Sequence, residues 1–185
     1  MKHKLKRCFV SVKIPNALKD CCERTQQEIK EGNLVDAKYT QRNNLHLTLK
    51  FLGEIDDETI QSVSERLEKI KFSKFDVSLN GAGTFLQEGE VKIIWHALGG
   101  EDLMNLQKEV DNTLQELFPP EKRFMAHITL ARVKQTTKKK ELDETLKSLH
   151  YDGKKYEIDR FFLMESTPAD EGSTYTEIKE YSSRI

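Results

Sequence analysis

The chain has 185 residues, with 30 Lys and Arg against 31 Asp and Glu, five His and three Cys. That length fits one domain, or two small lobes sharing a core, and excludes a multidomain machine. A net charge of −1 removes whole-molecule attraction to a polyanion, so a nucleic acid would have to be gripped locally. The basic runs at 2–7, 138–140 and 154–155 are the candidates, although such runs are more often solvated faces. No apolar stretch approaches the ~18–20 residues of a membrane span. The start of the sequence lacks a signal peptide's apolar core and small-residue cleavage site. Cys21 and Cys22 are adjacent and Cys8 stands alone, which makes no CxxC pair and no disulfide framework. A reducing, cytoplasmic setting is the expectation.

In chain order, residues 5–14 (LKRCFVSVKI) alternate and are rich in β-branched and aromatic side chains, which predicts a strand. Pro15-Asn16 opens a helix to about Lys30, and Gly32 ends it. Strands follow at 34–41 and 45–52, separated by the turn-like Asn43-Asn44. Asp56-Asp57 caps a second helix, in which Ile60, Val63, Leu67 and Ile70 recur at helical spacing. Residues 74–86 and 91–98 predict a hairpin across Gln87-Glu88-Gly89-Glu90. A third helix over 101–118 is stopped by Pro119-Pro120. Next come a strand at 124–133 and a helix near 138–150 with Leu142, Leu146 and Leu149 on one face. Strands at 156–166 and 174–182, joined by a loop over 167–173, complete the chain. Hairpins interleaved with helices favour an α+β architecture over a doubly wound parallel sheet.

One internal similarity stands out. His46-Leu47-Thr48-Leu49 recurs 81 residues later, position 46 against 127, as His127-Ile128-Thr129-Leu130. Each copy is a strand followed by a helix with an apolar stripe. A single period is no solenoid; it predicts two related lobes about an approximate two-fold axis. With 13 Thr and 20 Leu in the chain, two chance matches among five His are expected roughly once in a thousand sequences or less. His3, His96 and His150 have no such context and read as surface or structural.

Strand alternation places His46 beside Thr48, and His127 beside Thr129, with Leu47, Leu49, Ile128 and Leu130 on the opposite, core face. Imidazole, with an unperturbed pKa of about 6.5, lets a pair of His supply one neutral base and one protonated acid near neutral pH. With two hydroxyls, they suit an in-line displacement at phosphorus, where nonbridging oxygens need hydrogen-bond donors. Arg132 would clamp the phosphate, but strict alternation turns it away from Thr129, so its entry needs a bulge. Zinc is the competing chemistry; a third ligand at recognisable spacing is missing and the two Thr would be unexplained. No metal or cofactor is expected.

These residues resemble the two-histidine phosphoesterase superfamily, and within it the RNA 2′,3′-cyclic phosphodiesterase family, historically also called 2′-5′ RNA ligase. The resemblance runs from Arg7-Cys8-Phe9-Val10 and Ile14-Pro15 through the stretch from Asn44 to Gly53 that holds the first motif. It continues in Gly81-Ala82-Gly83-Thr84-Phe85, Ile93-Ile94-Trp95, the stretch from His127 to Arg132, and Glu165-Ser166 with Gly172 and Tyr175. Ala126 and Leu86 stand where the family often has Pro. The resemblance implies a single bilobal domain over 1–185, with two antiparallel sheets facing each other across a central cleft and helices outside. It implies metal-independent opening of a terminal 2′,3′-cyclic phosphate on RNA to a 2′-phosphate. His127 would be the base activating water and His46 the acid. Thr48, Thr129 and Arg132 would hold the phosphate, and Phe9 would stack a terminal base. The partner would be an RNA end, with tRNA fragments among the sources, bound by a monomer without a membrane. Ligation of such ends to 5′-hydroxyl RNA, turnover of small cyclic nucleotides, and RNA-end binding without turnover remain alternatives at this point.

Overall fold

The structure is a computed structural model that describes residues 4–169 and 172–184. The expectations for Lys2, for His3 and for the centre of the 167–173 loop fall outside the described residues. The elements are β1 (Lys6–Lys13), α1 (Asn16–Glu31), β2 (Val35–Tyr39), β3 (His46–Ile55), α2 (Asp57–Leu67), β4 (Phe75–Gln87) and β5 (Glu90–Gly99). They continue as α3 (Glu101–Leu114), β6 (His127–Thr136), α4 (Lys139–Ser148), β7 (Tyr156–Ile158), β8 (Arg160–Ala169) and β9 (Gly172–Ser182). A single 3₁₀ turn at Arg42–Asn44 precedes β3.

Local chemistry explains the boundaries. Pro15, extended at φ −60°, precedes α1, and Gly32 closes it by donating to the Glu28 carbonyl. The Asp56 carboxylate accepts the Thr59 backbone N–H at 2.8 Å and caps α2. Gln87 and Glu90 pair across Glu88 and Gly89, both at positive φ (54° and 81°), the pattern of a two-residue type I′ hairpin. α3 ends at Leu114 and not at the expected 118. The Leu117 and Phe118 N–H groups both fold back onto the Leu114 carbonyl, tightening the chain ahead of the two prolines. β8 and β9 extend to Ala169 and from Gly172, taking up most of the expected loop.

All strand pairs are antiparallel. The order is β7-β4-β5-β6-β3-β1-β8-β9, with β2 added to β6. The architecture is therefore α+β, as the element order predicts. The two facing sheets that the resemblance implies are hydrogen-bonded into one, and the seam between β3 and β6 is the single pair Leu47–Ile128. Beyond that pair the motif strands part, and β2 takes the vacated edge of β6 from Ala131 to Thr136. The duplicated strands carry nearly the same burial pattern, with the aliphatic members fully buried in one continuous core. α1 packs on β2, β6 and α4, while α2 and α3 pack together with α3 against β3. Among the described residues no helix is long and apolar enough to cross a membrane.

Candidate active site

Where β3 and β6 part, a cleft of about 360 Å³ opens. His46, Thr48, His127, Thr129, Arg132 and Phe9 all line it. Each imidazole is oriented in the same way. His46 Nδ1 donates to the Asn44 carbonyl at 2.6 Å, and His127 Nδ1 to the Met125 carbonyl at 2.8 Å. A carbonyl only accepts, so Nδ1 carries the proton and Nε2 is the nitrogen left for chemistry. His46 Nε2 lies 3.0 Å from Thr48 Oγ1. Thr129 has no side-chain hydrogen bond among the described residues, which leaves its hydroxyl open to a ligand. Asn44 Nδ2 also donates to the Ser173 carbonyl at 2.7 Å, pinning the start of β9 to the turn before the first motif.

Arg132 reaches the cleft through a β-bulge. Ile94 pairs with Ala131 and Trp95 with Thr129, so Leu130 is the extra residue and the facing of β6 flips beyond it. The carbonyl of Leu130 is satisfied elsewhere, accepting from Thr40 N at 2.9 Å and Gln26 Nε2 at 2.8 Å. The first motif bulges at its equivalent residue. Val10 pairs with Lys50 and Ser11 with Thr48, leaving Leu49 extra. Lys50 is thereby buried on the core side, bonded to Asp111 of α3 and to the Pro119 carbonyl. The same flip sends Phe51 into the cleft. Phe51 is the counterpart of Arg132 under the 81-residue shift, and alternation alone does not reveal it because it would place Phe51 on the core face with Leu47 and Leu49.

The two aromatic rings on this wall differ in exposure. Phe9 is only 4% exposed, packed with Phe162, Met164 and Tyr175. Its ring stands 5.1 Å from both His46 and Tyr175, so it walls the imidazole and offers a base little free face. Phe51 is 64% exposed and has one. His127 has its own wall: Phe85 meets it edge-on at 5.0 Å and packs against Trp95 at 5.3 Å. Gly83 makes room for that wall, because a Cβ there would lie 2.7 Å from the Trp95 ring. The Gly81–Phe85 stretch was legible only as a resemblance; its role here is steric.

Burial holds the His46 pKa below its usual value, with the charges of His127 and Arg132 adding to the effect and the Asn44 carbonyl opposing it. The shift favours the neutral imidazole. His96 is a buried structural histidine, bonded to Thr25 Oγ1 at 3.0 Å and near the Tyr151 hydroxyl at 3.2 Å; burial pushes it down to about 4. His150 is exposed. Lys139 and Lys140 pair with Asp143 and Glu144 along α4, and Lys154 lies over Tyr156. None of these basic residues lines the cleft. Among the described residues no three His, Cys, Asp or Glu side chains group to hold a metal ion.

Two imidazoles and two hydroxyls, presented by duplicated and identically bulged strands to one cleft, define a two-histidine phosphoesterase. The chain belongs to the LigT-like phosphoesterase family, which matches residues 12–95 and 99–175. Among its relatives is an RNA 2′,3′-cyclic phosphodiesterase of Methanocaldococcus jannaschii, 29% identical and covering 95% of this chain and 99% of that protein. One of the same name from Thermotoga maritima is 29% identical over 94% of both chains. Among solved structures, a protein of Thermus thermophilus superposes with a TM-score of 0.78 at 24% identity, covering 95% of this chain and 97% of that one. Escherichia coli LigT complexed with 3′-AMP superposes with a TM-score of 0.76 at 22% identity, covering 98% and 99%. At those identities the solved structures speak to the fold.

Proposed function

We propose that the protein opens terminal 2′,3′-cyclic phosphates of RNA to 2′-phosphates without a metal, using His46 and His127 as an acid/base pair. The single observation that carries this is the shared cleft of the two motifs, with both Nε2 atoms freed by carbonyl-held Nδ1–H groups. The curated relatives' common name supplies the substrate class. In the proposed step, His127 Nε2 takes a proton from water as its oxygen attacks phosphorus. The P–O3′ bond breaks, and His46 Nε2–H protonates the leaving O3′. Both histidines then return to their starting states by proton exchange with solvent.

Thr129, Arg132 and Thr48 donate to the nonbridging oxygens, where charge accumulates in the transition state. Thr48 suits this part twice over. It lies 3.0 Å from His46 Nε2, beside the acid, and once that nitrogen is protonated it no longer accepts the Thr48 hydroxyl proton, which is then free for phosphate. Because burial lowers the His46 pKa, the anionic substrate must bring the proton in by favouring the imidazolium. Phe51 offers the terminal base a stacking face.

The test is to incubate EDTA-treated protein with an oligonucleotide ending in a 2′,3′-cyclic phosphate and identify the product end. A 2′-phosphate is expected. A 3′-phosphate, or a 2′-5′ junction when 5′-hydroxyl RNA is added, would replace this reading. Tight binding with the cyclic end intact after hours would make the protein a non-catalytic RNA-end binder.

A further inference from the structure

The chain has eight arginines. Arg24, Arg42, Arg66, Arg160 and Arg184 each bond or ion-pair to a side chain. Of the rest, Arg7 and Arg132 line the cleft, and neither has an ion-pair or hydrogen-bond partner for its guanidinium among the described residues. Glu54 is Arg7's neighbour across the ladder, yet no ion pair forms between them. An unpaired guanidinium facing a cleft is a fixed charge with five donors and nothing to bond except water or a ligand.

Arg132 sits on the second motif strand, beside the reacting phosphate of the proposed reaction. Arg7 sits elsewhere. Along the β1–β3 ladder Ser11 pairs with Thr48, Phe9 with Phe51 and Arg7 with Glu54. Arg7 therefore lies two residues past the Phe51 level, a step of about 7 Å along the strand. Moving outward, the wall presents the imidazole and hydroxyl of the first motif, then the exposed Phe51 ring, then the Arg7 guanidinium. Ser166, Arg7's partner on β8, adds a hydroxyl at the same end of the cleft.

A 3′-terminal nucleotide carries complementary groups in the same order: cyclic phosphate, base-bearing ribose, then the 5′ phosphodiester. We propose that Arg7 binds the phosphodiester on the 5′ side of the terminal nucleotide, so that the site selects an oligoribonucleotide over a cyclic mononucleotide. This rests on the cyclic phosphodiesterase reading above and extends it to a second phosphate. Aromatic and cationic groups alternating along a groove are the usual means of holding single-stranded nucleic acid.

The test compares wild type with Arg7→Ala on a 2′,3′-cyclic mononucleotide and on a dinucleotide with the same terminal nucleotide. Loss of one charge-assisted phosphate contact at an exposed site should raise KM for the dinucleotide about tenfold. Kinetics on the mononucleotide should be unchanged, and Arg7→Lys should restore most of the difference. Equal losses on both substrates, or none on the dinucleotide, would overturn the proposal. Calorimetric binding of a dinucleotide ending in a 3′-phosphate separates the two claims. If wild type opens neither substrate, the phosphodiesterase reading fails. About tenfold weaker dinucleotide binding by Arg7→Ala, with nucleoside 3′-phosphate binding unchanged, would still support the Arg7 site, whereas equal dinucleotide binding would overturn it.

Discussion

Phe51→Ala removes a ring that is 64% exposed and makes one aromatic contact, to Phe9 at 6.4 Å. The folded state loses little buried area, so the melting temperature should stay within a degree or two. What the ring offers is a face for a base, and stacking of a base on an aromatic side chain is worth about 1–3 kcal/mol. That contact is the same in ground and transition states, so KM should rise roughly 5- to 150-fold with kcat nearly unchanged. Phe9→Ala inverts the pattern. Phe9 is 4% exposed and touches Phe162, Met164, Tyr175 and the His46 ring. Its truncation should cost about 3 kcal/mol, or about 6–12 °C in melting temperature for a domain of this size. Loosening the His46 ring should also lower kcat. Steady-state kinetics on an oligonucleotide with a cyclic phosphate end, together with thermal melts of both variants, read all of this out. An unchanged KM for Phe51→Ala, or a raised KM with unchanged melting for Phe9→Ala, would refute the assignment of the two rings.

Gly83→Ala places a Cβ 2.7 Å from the Trp95 ring, which must move and take Phe85 with it off His127; kcat should fall about tenfold at little change in KM. Gly81→Ala meets only Ala97 at 3.6 Å and is the benign control. Because burial lowers the His46 pKa and the proposed acid role needs its imidazolium, binding of a fixed-charge phosphodiester analogue at pH 7 should take up a proton. Calorimetry in buffers of different ionisation enthalpy measures it, and zero uptake would count against His46 as the acid. His96, pushed down to about 4 by burial, binds its proton more readily in the unfolded chain. The stability it protects is complete above about pH 6.5 and falls by about 3 kcal/mol as pH drops toward 4. Denaturant melts of His96→Gln against wild type should therefore differ in pH slope over that window.

The sequence pattern carries much of this fold because its signals are local. The Asp56 cap, the Glu88-Gly89 turn and the apolar stripes of the helices each act within a few residues. The duplicated tetrapeptide carries the site because alternation and identity are both readable along one strand. Less legible is whatever depends on a neighbouring strand. Leu49 and Leu130 look like ordinary alternating residues, and only the ladder partners reveal them as bulges. A bulge was foreseeable for Arg132, whose chemistry demanded entry, but Phe51 carried no such demand. Applying the 81-residue shift to it would have found it. The joining of the two sheets through Leu47 and Ile128 is likewise a matter of pairing between distant segments. Arg7 carries no sequence signal of its own, and its place on the cleft wall emerges only from the β1–β3 ladder and the cleft lining.

The central claim is that His46 and His127 act together on one phosphate. It is tested most directly by measuring kcat for His46→Ala, His127→Ala and the double variant on an oligonucleotide with a 2′,3′-cyclic phosphate end. Each single change should cost about 10²- to 10⁴-fold, and the double variant should be little slower than the slower single one. Full activity in either single variant would contradict the claim, and so would losses that multiply as if the two histidines served separate steps.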